Sequence, residues 1–256
     1  MKITTTLGTL AALTLLAPTA GAAQDFSWRG ALAAGKTIEI KGLNGSIHAR
    51  RASGNEVVVT ADKDGRDQDD LRFEVVEHAG GVTICAMYPG KRGKANECAP
   101  GDEGRMNNED TRAEAHFEVQ VPAGVQFAGR NVNGDVMAEG LTADASAHTV
   151  NGDVGVATTG WAEASTVNGD VRVSVGRADW QGGAEFSTVN GSIDLTLPAG
   201  FSAEVEASTV NGDFESDFPL TIKGRFGPRK ISGTIGDGGR RLELSTVNGS
   251  ISLKRS

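Results

Sequence analysis

The sequence predicts an all-β fold: a single-stranded, right-handed β-helix or β-solenoid with coils of about 16–22 residues. Three observations carry this. Residues 165–170 read Ser-Thr-Val-Asn-Gly-Asp; 187–192, 208–213 and 245–250 repeat that hexamer with Asp or Ser at its end, and 130–135 and 148–153 are looser copies. The repeated valines Val132, Val150, Val167, Val189, Val210 and Val247 are 18, 17, 22, 21 and 37 residues apart, and the last step divides into 21 and 16 if Ile231 marks a degenerate copy. Finally, 35 glycines and only 5% aromatics suit a narrow core of Val, Ile, Ala and Gly.

Residues 1–22 read as a signal peptide: Lys2, an apolar run over 7–17, and the small-residue site Ala20-Gly21-Ala22, with cleavage near 22/23. The run is shorter than the roughly 20 residues of a membrane span, and no other stretch approaches that length. The expected product is exported, periplasmic or extracellular, with no transmembrane segment in its mature chain. Loss of Lys2, the leader's one charged residue, takes the net charge of -8 to -9. That balance argues against a nucleic-acid partner.

Residues 23–122 are expected to form irregular coils, continuous with the repeat that follows. Strands are predicted over 37–40, 45–49, 56–61, 71–78, 81–87 and 113–121, joined by polar turns rich in Gly and Asp. A polar excursion over 89–112 interrupts them. Cys85 and Cys98, in an exported chain, are expected to form a disulfide at its base. Cys85 alternates against Ile84 and Ala86, so it should face outward, toward that excursion.

Residues 123–256 hold the regular repeat. Asn-Gly between apolar alternations is a hairpin signal, but a hairpin would set one valine of every copy against the parity of the rest. A chain running on as one strand puts Val167, Gly169, Val171, Val173 and Val175 on an inward face, and Asn168, Asp170, Arg172 and Ser174 outside. Upstream the parity is reversed, and the two residues before the valine, usually Ser-Thr, are read as the corner. On this reading Val171→Asp costs several kcal/mol and Arg172→Asp is nearly silent. Glycine marks a narrow interior, and the amides of Asn133, Asn151, Asn168, Asn190, Asn211 and Asn248 form a structural ladder bonding from coil to coil.

The Val-Asn-Gly-Asp/Ser-Val/Ile unit, with Phe218-Pro219-Leu220 and the Gly233–Gly239 stretch Gly-Thr-Ile-Gly-Asp-Gly-Gly, resembles the bacterial secreted adhesin-like family called domain of unknown function 4097. The resemblance covers most of the mature chain. It implies an exported, non-enzymatic β-solenoid with no catalytic residues to carry over.

Chemistry is sparse. His48, His78, His116 and His148 are scattered and read as surface or corner residues. Asp135, Asp153, Asp170 and Asp213 share one position; they read as solvated carboxylates accepting backbone hydrogen bonds, with a cation between coils as the lesser reading. Lys223, Arg225, Arg229 and Lys230 form a basic segment, a possible contact for an anionic partner or else a solvated face. Trp161, Trp180 and Phe201 plug wide ends of the coil or stack on sugars. No metal site or cofactor is expected. The function predicted is a non-catalytic envelope binding or scaffold module whose partner is an envelope polymer or protein. A carbohydrate-active β-helix enzyme, lyase or hydrolase, is the alternative, and it needs a carboxylate pair or a basic residue in a groove.

Overall fold

A computed structural model describes residues 25–90, 95–107, 111–180, 183–222 and 230–256. The predicted leader lies outside them. Within them the chain forms short strands whose apolar residues alternate with polar ones, as in Val-Arg-Val-Ser-Val of residues Val171–Val175, where each valine is buried and Arg172 and Ser174 are exposed. Burying such a valine is worth roughly 1.5–3 kcal/mol.

The strands are β1 (Phe26–Gly30), β2 (Thr37–Lys41), β3 (Ile47–Arg51), β4 (Val57–Asp64), β5 (Arg72–His78), β6 (Gly81–Met87) and β7 (Glu114–Val121). The repeat adds β8 (Gln126–Arg130), β9 (Val136–Leu141), β10 (Ala145–His148), β11 (Val154–Thr158), β12 (Ala162–Ser165), β13 (Val171–Val175), β14 (Gly183–Ser187) and β15 (Ile193–Leu197). Then follow β16 (Ala203–Ser208), β17 (Phe214–Ser216), β18 (Leu220–Ile222), β19 (Lys230–Ile235), β20 (Arg241–Ser245) and β21 (Ile251–Arg255).

Two long sheets result, one ordered β1-β4-β7-β3-β9-β11-β13-β15-β21-β17 and the other β18-β19-β16-β20-β14-β12-β10-β8-β2-β6-β5. Each coil gives one strand to each sheet, and neighbouring coils pair in parallel. The inward faces of both sheets meet in one core running from Ile38 and Ile84 through Val171 and Phe186 to Leu244 and Leu253.

Coils do not stack in chain order. The β2/β3 coil sits between β6/β7 and β8/β9, and the β20/β21 coil, last in sequence, sits between β14/β15 and β16/β17. Both ends carry antiparallel strands: β5 on β6, β4 on β7 and β1 on β4 at one end, β19 on β16 and β18 on β19 at the other. Ile231 therefore belongs to a capping strand, where the sequence suggests a degenerate coil. It pairs with Ala207 in antiparallel register, which no repeat copy does.

Candidate binding surface along the corner ladder

The repeated hexamer is the corner between the two sheets. β12 ends at Ser165 and β13 starts at Val171, so Thr166 to Asp170 make the bend. This corrects the expected register. The threonine points in and the valine points out: Thr149, Thr166, Thr188, Thr209 and Thr246 are buried, while Val150, Val167, Val189, Val210 and Val247 are 38–45% exposed. The parity of the first strand runs on through the valine, and the phase break falls at Asn-Gly, not at Ser-Thr. Thr is tolerated inside because its hydroxyl is satisfied. Thr166 Oγ1 donates to the Gly152 carbonyl at 2.9 Å, Thr188 to Gly169 at 2.9 Å and Thr246 to Gly191 at 2.8 Å. Thr149 donates likewise to the Gly134 carbonyl at 2.9 Å, and Asn131, one coil before it, takes the same role toward the Gly45 carbonyl at 2.7 Å.

Glycine is required for a different reason from a narrow interior. A Cβ on Gly169 would lie 2.0 Å from the Gly152 carbonyl oxygen, and one on Gly191 would lie 1.9 Å from that of Gly169. Backbones of adjacent coils touch at this point. Gly169 also has φ +153°, a region unfavourable for any residue with a Cβ.

Beside the valines the asparagine side chains form an unbroken chain of amide hydrogen bonds. Asn133 donates to Asn44, Asn151 to Asn133, Asn168 to Asn151, Asn190 to Asn168, Asn248 to Asn190 and Asn211 to Asn248, all at 2.7–2.8 Å. The order follows the stack, so Asn248 precedes Asn211. Asn44, outside the six asparagines named from the sequence, starts the row. Its signal was legible in Leu43-Asn44-Gly45-Ser46, a copy with Leu in place of Val.

A third row holds Asp or Ser. Asp135 Oδ1 accepts the Asp153 N–H, Asp153 Oδ1 the Asp170 N–H and Asp170 Oδ1 the Ser192 N–H, each at 2.8 Å. Arg172 spans two of these carboxylates, reaching Asp153 at 2.9 Å and Asp170 at 2.5 Å. A guanidinium thus stands where the sequence offers a place for a cation between coils. The Asp170 N–H, and then Arg172, hold the Asp153 carboxyl below its usual range against the opposing effect of partial burial. Among the described residues no group of three or more His, Cys, Asp or Glu is arranged to hold a metal.

The family model of Toastrack DUF4097 matches residues 125–254, from the start of β8 into β21. The chain belongs to the Toastrack DUF4097 family. No curated protein matches it. It is similar to the crystal structure of a provisionally assigned cell adhesion protein from Clostridium sporogenes at 8% identity and TM-score 0.45, covering 90% of this chain and 99% of that one. A provisionally assigned adhesin from Bacteroides fragilis is similar at 14% identity and TM-score 0.37, over 89% and 96% of the two chains. Neither likeness is close enough to transfer a function to this family member.

The remaining residues that the sequence of this Toastrack chain marks lie partly beside the ladder and partly away from it. Cys85 and Cys98 form a disulfide with Cα atoms 5.9 Å apart. Cys85 sits on β6 opposite Lys41 of β2, so the bridge draws residues 98–103 over the outer face of the second sheet. Glu39, buried there, accepts from Thr83 Oγ1 at 2.8 Å, Gly101 N–H at 3.0 Å and Arg130 Nε at 3.1 Å. Lys41 donates to the carbonyls of Ala99, Gly101 and Glu103. Burial pulls its pKa down, opposed by the Glu39 carboxylate. Acidic and basic side chains do converge here, but under a cover.

His148 bonds Ser165 Oγ at 2.8 Å, and burial, aided by Arg130, lowers its pKa. His48 pairs with Glu118, and His78 contacts Thr83. His116 lies 3.1 Å from Ser46 Oγ and 3.4 Å from Glu114, in an open cleft of about 600 Å³ where the ladder begins, shared with Asn44, Arg112, Asn133 and Asp135. Lys223, Arg225 and Arg229 lie outside the described residues; Lys230 pairs with Glu206. Trp161, Trp180 and Phe201 are buried and stacked, with centroids 4.2 and 5.6 Å apart, so they plug the coil and offer no face to a sugar.

Proposed function

We propose that this chain is an exported, adhesin-like, non-catalytic module of the cell envelope that binds a polymer or protein through its corner ladder. One observation carries the reading: the large apolar side chains exposed among the described residues are Val150, Val167, Val189, Val210 and Val247, and all five stand in a single row. Isolated exposed apolar residues need no explanation, but a contiguous patch marks interaction surfaces. The row lies on a backbone stiffened by inter-coil bonds at every corner, so its spacing is held before any partner arrives. The test is to incubate the exported protein with isolated envelope material, measuring retention and release of soluble fragments together. Retention without release is expected; catalytic release overturns the reading.

A carbohydrate-active enzyme is the second reading, and the cleft holding Glu114, Asp135 and His116 favours it. If fragments are released, Glu114→Gln should abolish release while leaving retention intact.

A further inference from the structure

We propose that the ladder face takes an uncharged polysaccharide, laid along the stacking axis of the coils. This deepens the binding-module reading and rests on it. Three parallel rows repeat at the strand spacing of ~4.8 Å: valine isopropyl groups, asparagine amides, then Asp or Ser oxygens. Each Asn within the row spends one amide N–H and one oxygen lone pair on its neighbours, which leaves a second N–H and a second lone pair directed away from the ladder bond. The carboxylates of Asp135, Asp153 and Asp170 each receive one backbone N–H, and with about four lone-pair sites each they keep acceptor capacity beyond it, even where Arg172 takes a second. Such a surface matches a chain that offers a C–H face to the valines and hydroxyls to the amides and carboxylates, once per ~5 Å.

Charge selects among polymers. A polyanion would bring its charges against Asp135, Asp153, Asp170 and Asp213. A polycation finds these carboxylates partly committed, because Arg172 holds Asp153 and Asp170. An uncharged, hydroxyl-rich chain meets neither obstacle. Apolar area argues against a second copy of this chain: five valines about two-fifths exposed give an apolar patch of about 300 Å², whereas a homodimer interface of roughly 800 Å² per partner, about two-thirds apolar, needs about 500 Å².

The experiment compares retention on cellulose, chitin and a β-1,3-glucan with retention on polygalacturonate and on whole envelope material. The wild type is set against a combined Val150→Thr, Val167→Thr, Val189→Thr, Val247→Thr variant. Threonine keeps the β-branch and the stacking shape while replacing one of the two methyls of each exposed valine with a hydroxyl. Retention on at least one neutral polymer is expected, weakened about tenfold or more in the variant, with melting temperature unchanged. Should four changes disturb the fold, the pairs Val150/Val167 and Val189/Val247 are read separately. Retention on polygalacturonate alone, on no neutral polymer, or equally by the variant overturns the proposal, as does a wild-type dimer that the variant breaks. If whole envelope material still retains the protein, the binding-module reading survives that failure; if it does not, both fall.

Discussion

Thr166 and Val167 are chain neighbours with opposite surroundings, and the hydroxyl explains why. Inside the corner, Thr166 Oγ1 meets a glycine carbonyl of the adjacent coil that a valine could not serve. Thr188→Val should therefore cost about 1–2 kcal/mol, by leaving the Gly169 carbonyl short of a donor. Val189→Thr should stay within about 0.5 kcal/mol. Chemical denaturation of the two variants checks the contrast. Arg172 is a second case. Considered alone on an exposed strand face it reads as replaceable, but it spans two carboxylates. Arg172→Asp should be destabilising, because it sets a third carboxylate beside Asp153 and Asp170. Asp153 also yields a pH prediction. A carboxyl depressed in the folded state adds stability that is complete above its unfolded value near pH 4 and is lost as pH falls through the lower folded value. Arg172→Ala should raise the Asp153 pKa and move acid unfolding to higher pH, which carbon NMR titration of that carboxyl would follow.

At the scale of elements, the corner is held by bonds between coils. Asn190 both donates to Asn168 and accepts from Asn248, whereas Asn211 at the end of the row makes one ladder bond. Asn190→Ala should lower stability about twice as much as Asn211→Ala, each lost bond being worth ~0.5–1 kcal/mol at this exposed site. Calorimetry of the two variants decides it. Strand positions are legible in the sequence because period-two alternation is a local property: it marks Gly81–Met87 to the residue, and the two neighbours of Cys85 put it on the outer face. The corner was less legible. Ser-Thr-Val-Asn-Gly can change parity at more than one place, and apolarity alone turns Val167 inward; nothing local says that the Thr hydroxyl finds a carbonyl in another coil. For the same reason Glu39 and Lys41 gave no signal, since their burial depends on a loop brought over them by the disulfide.

At the scale of the molecule, order along the chain and order in the stack differ at both ends. Repeat spacing reports that coils exist; it cannot report which coil lies between which, because every copy offers nearly the same edges. The exchange has a testable consequence. In a sequential solenoid, removing residues 237–256 would strip one terminal coil. Here it removes the coil between β14/β15 and β16/β17, so the truncated chain should lose protection of β16–β19 as well and be cleaved there by limited proteolysis. A truncated chain protected up to residue 236 would contradict the stacking order. The functional claim depends on the same geometry, since only a regular stack aligns five valines on one edge. Hydroxyl-radical footprinting of the protein, free and bound to envelope material, tests that claim most directly. The account predicts that protection concentrates on Val150, Val167, Val189, Val210 and Val247; unchanged reactivity there, with protection confined to other surfaces, would contradict it.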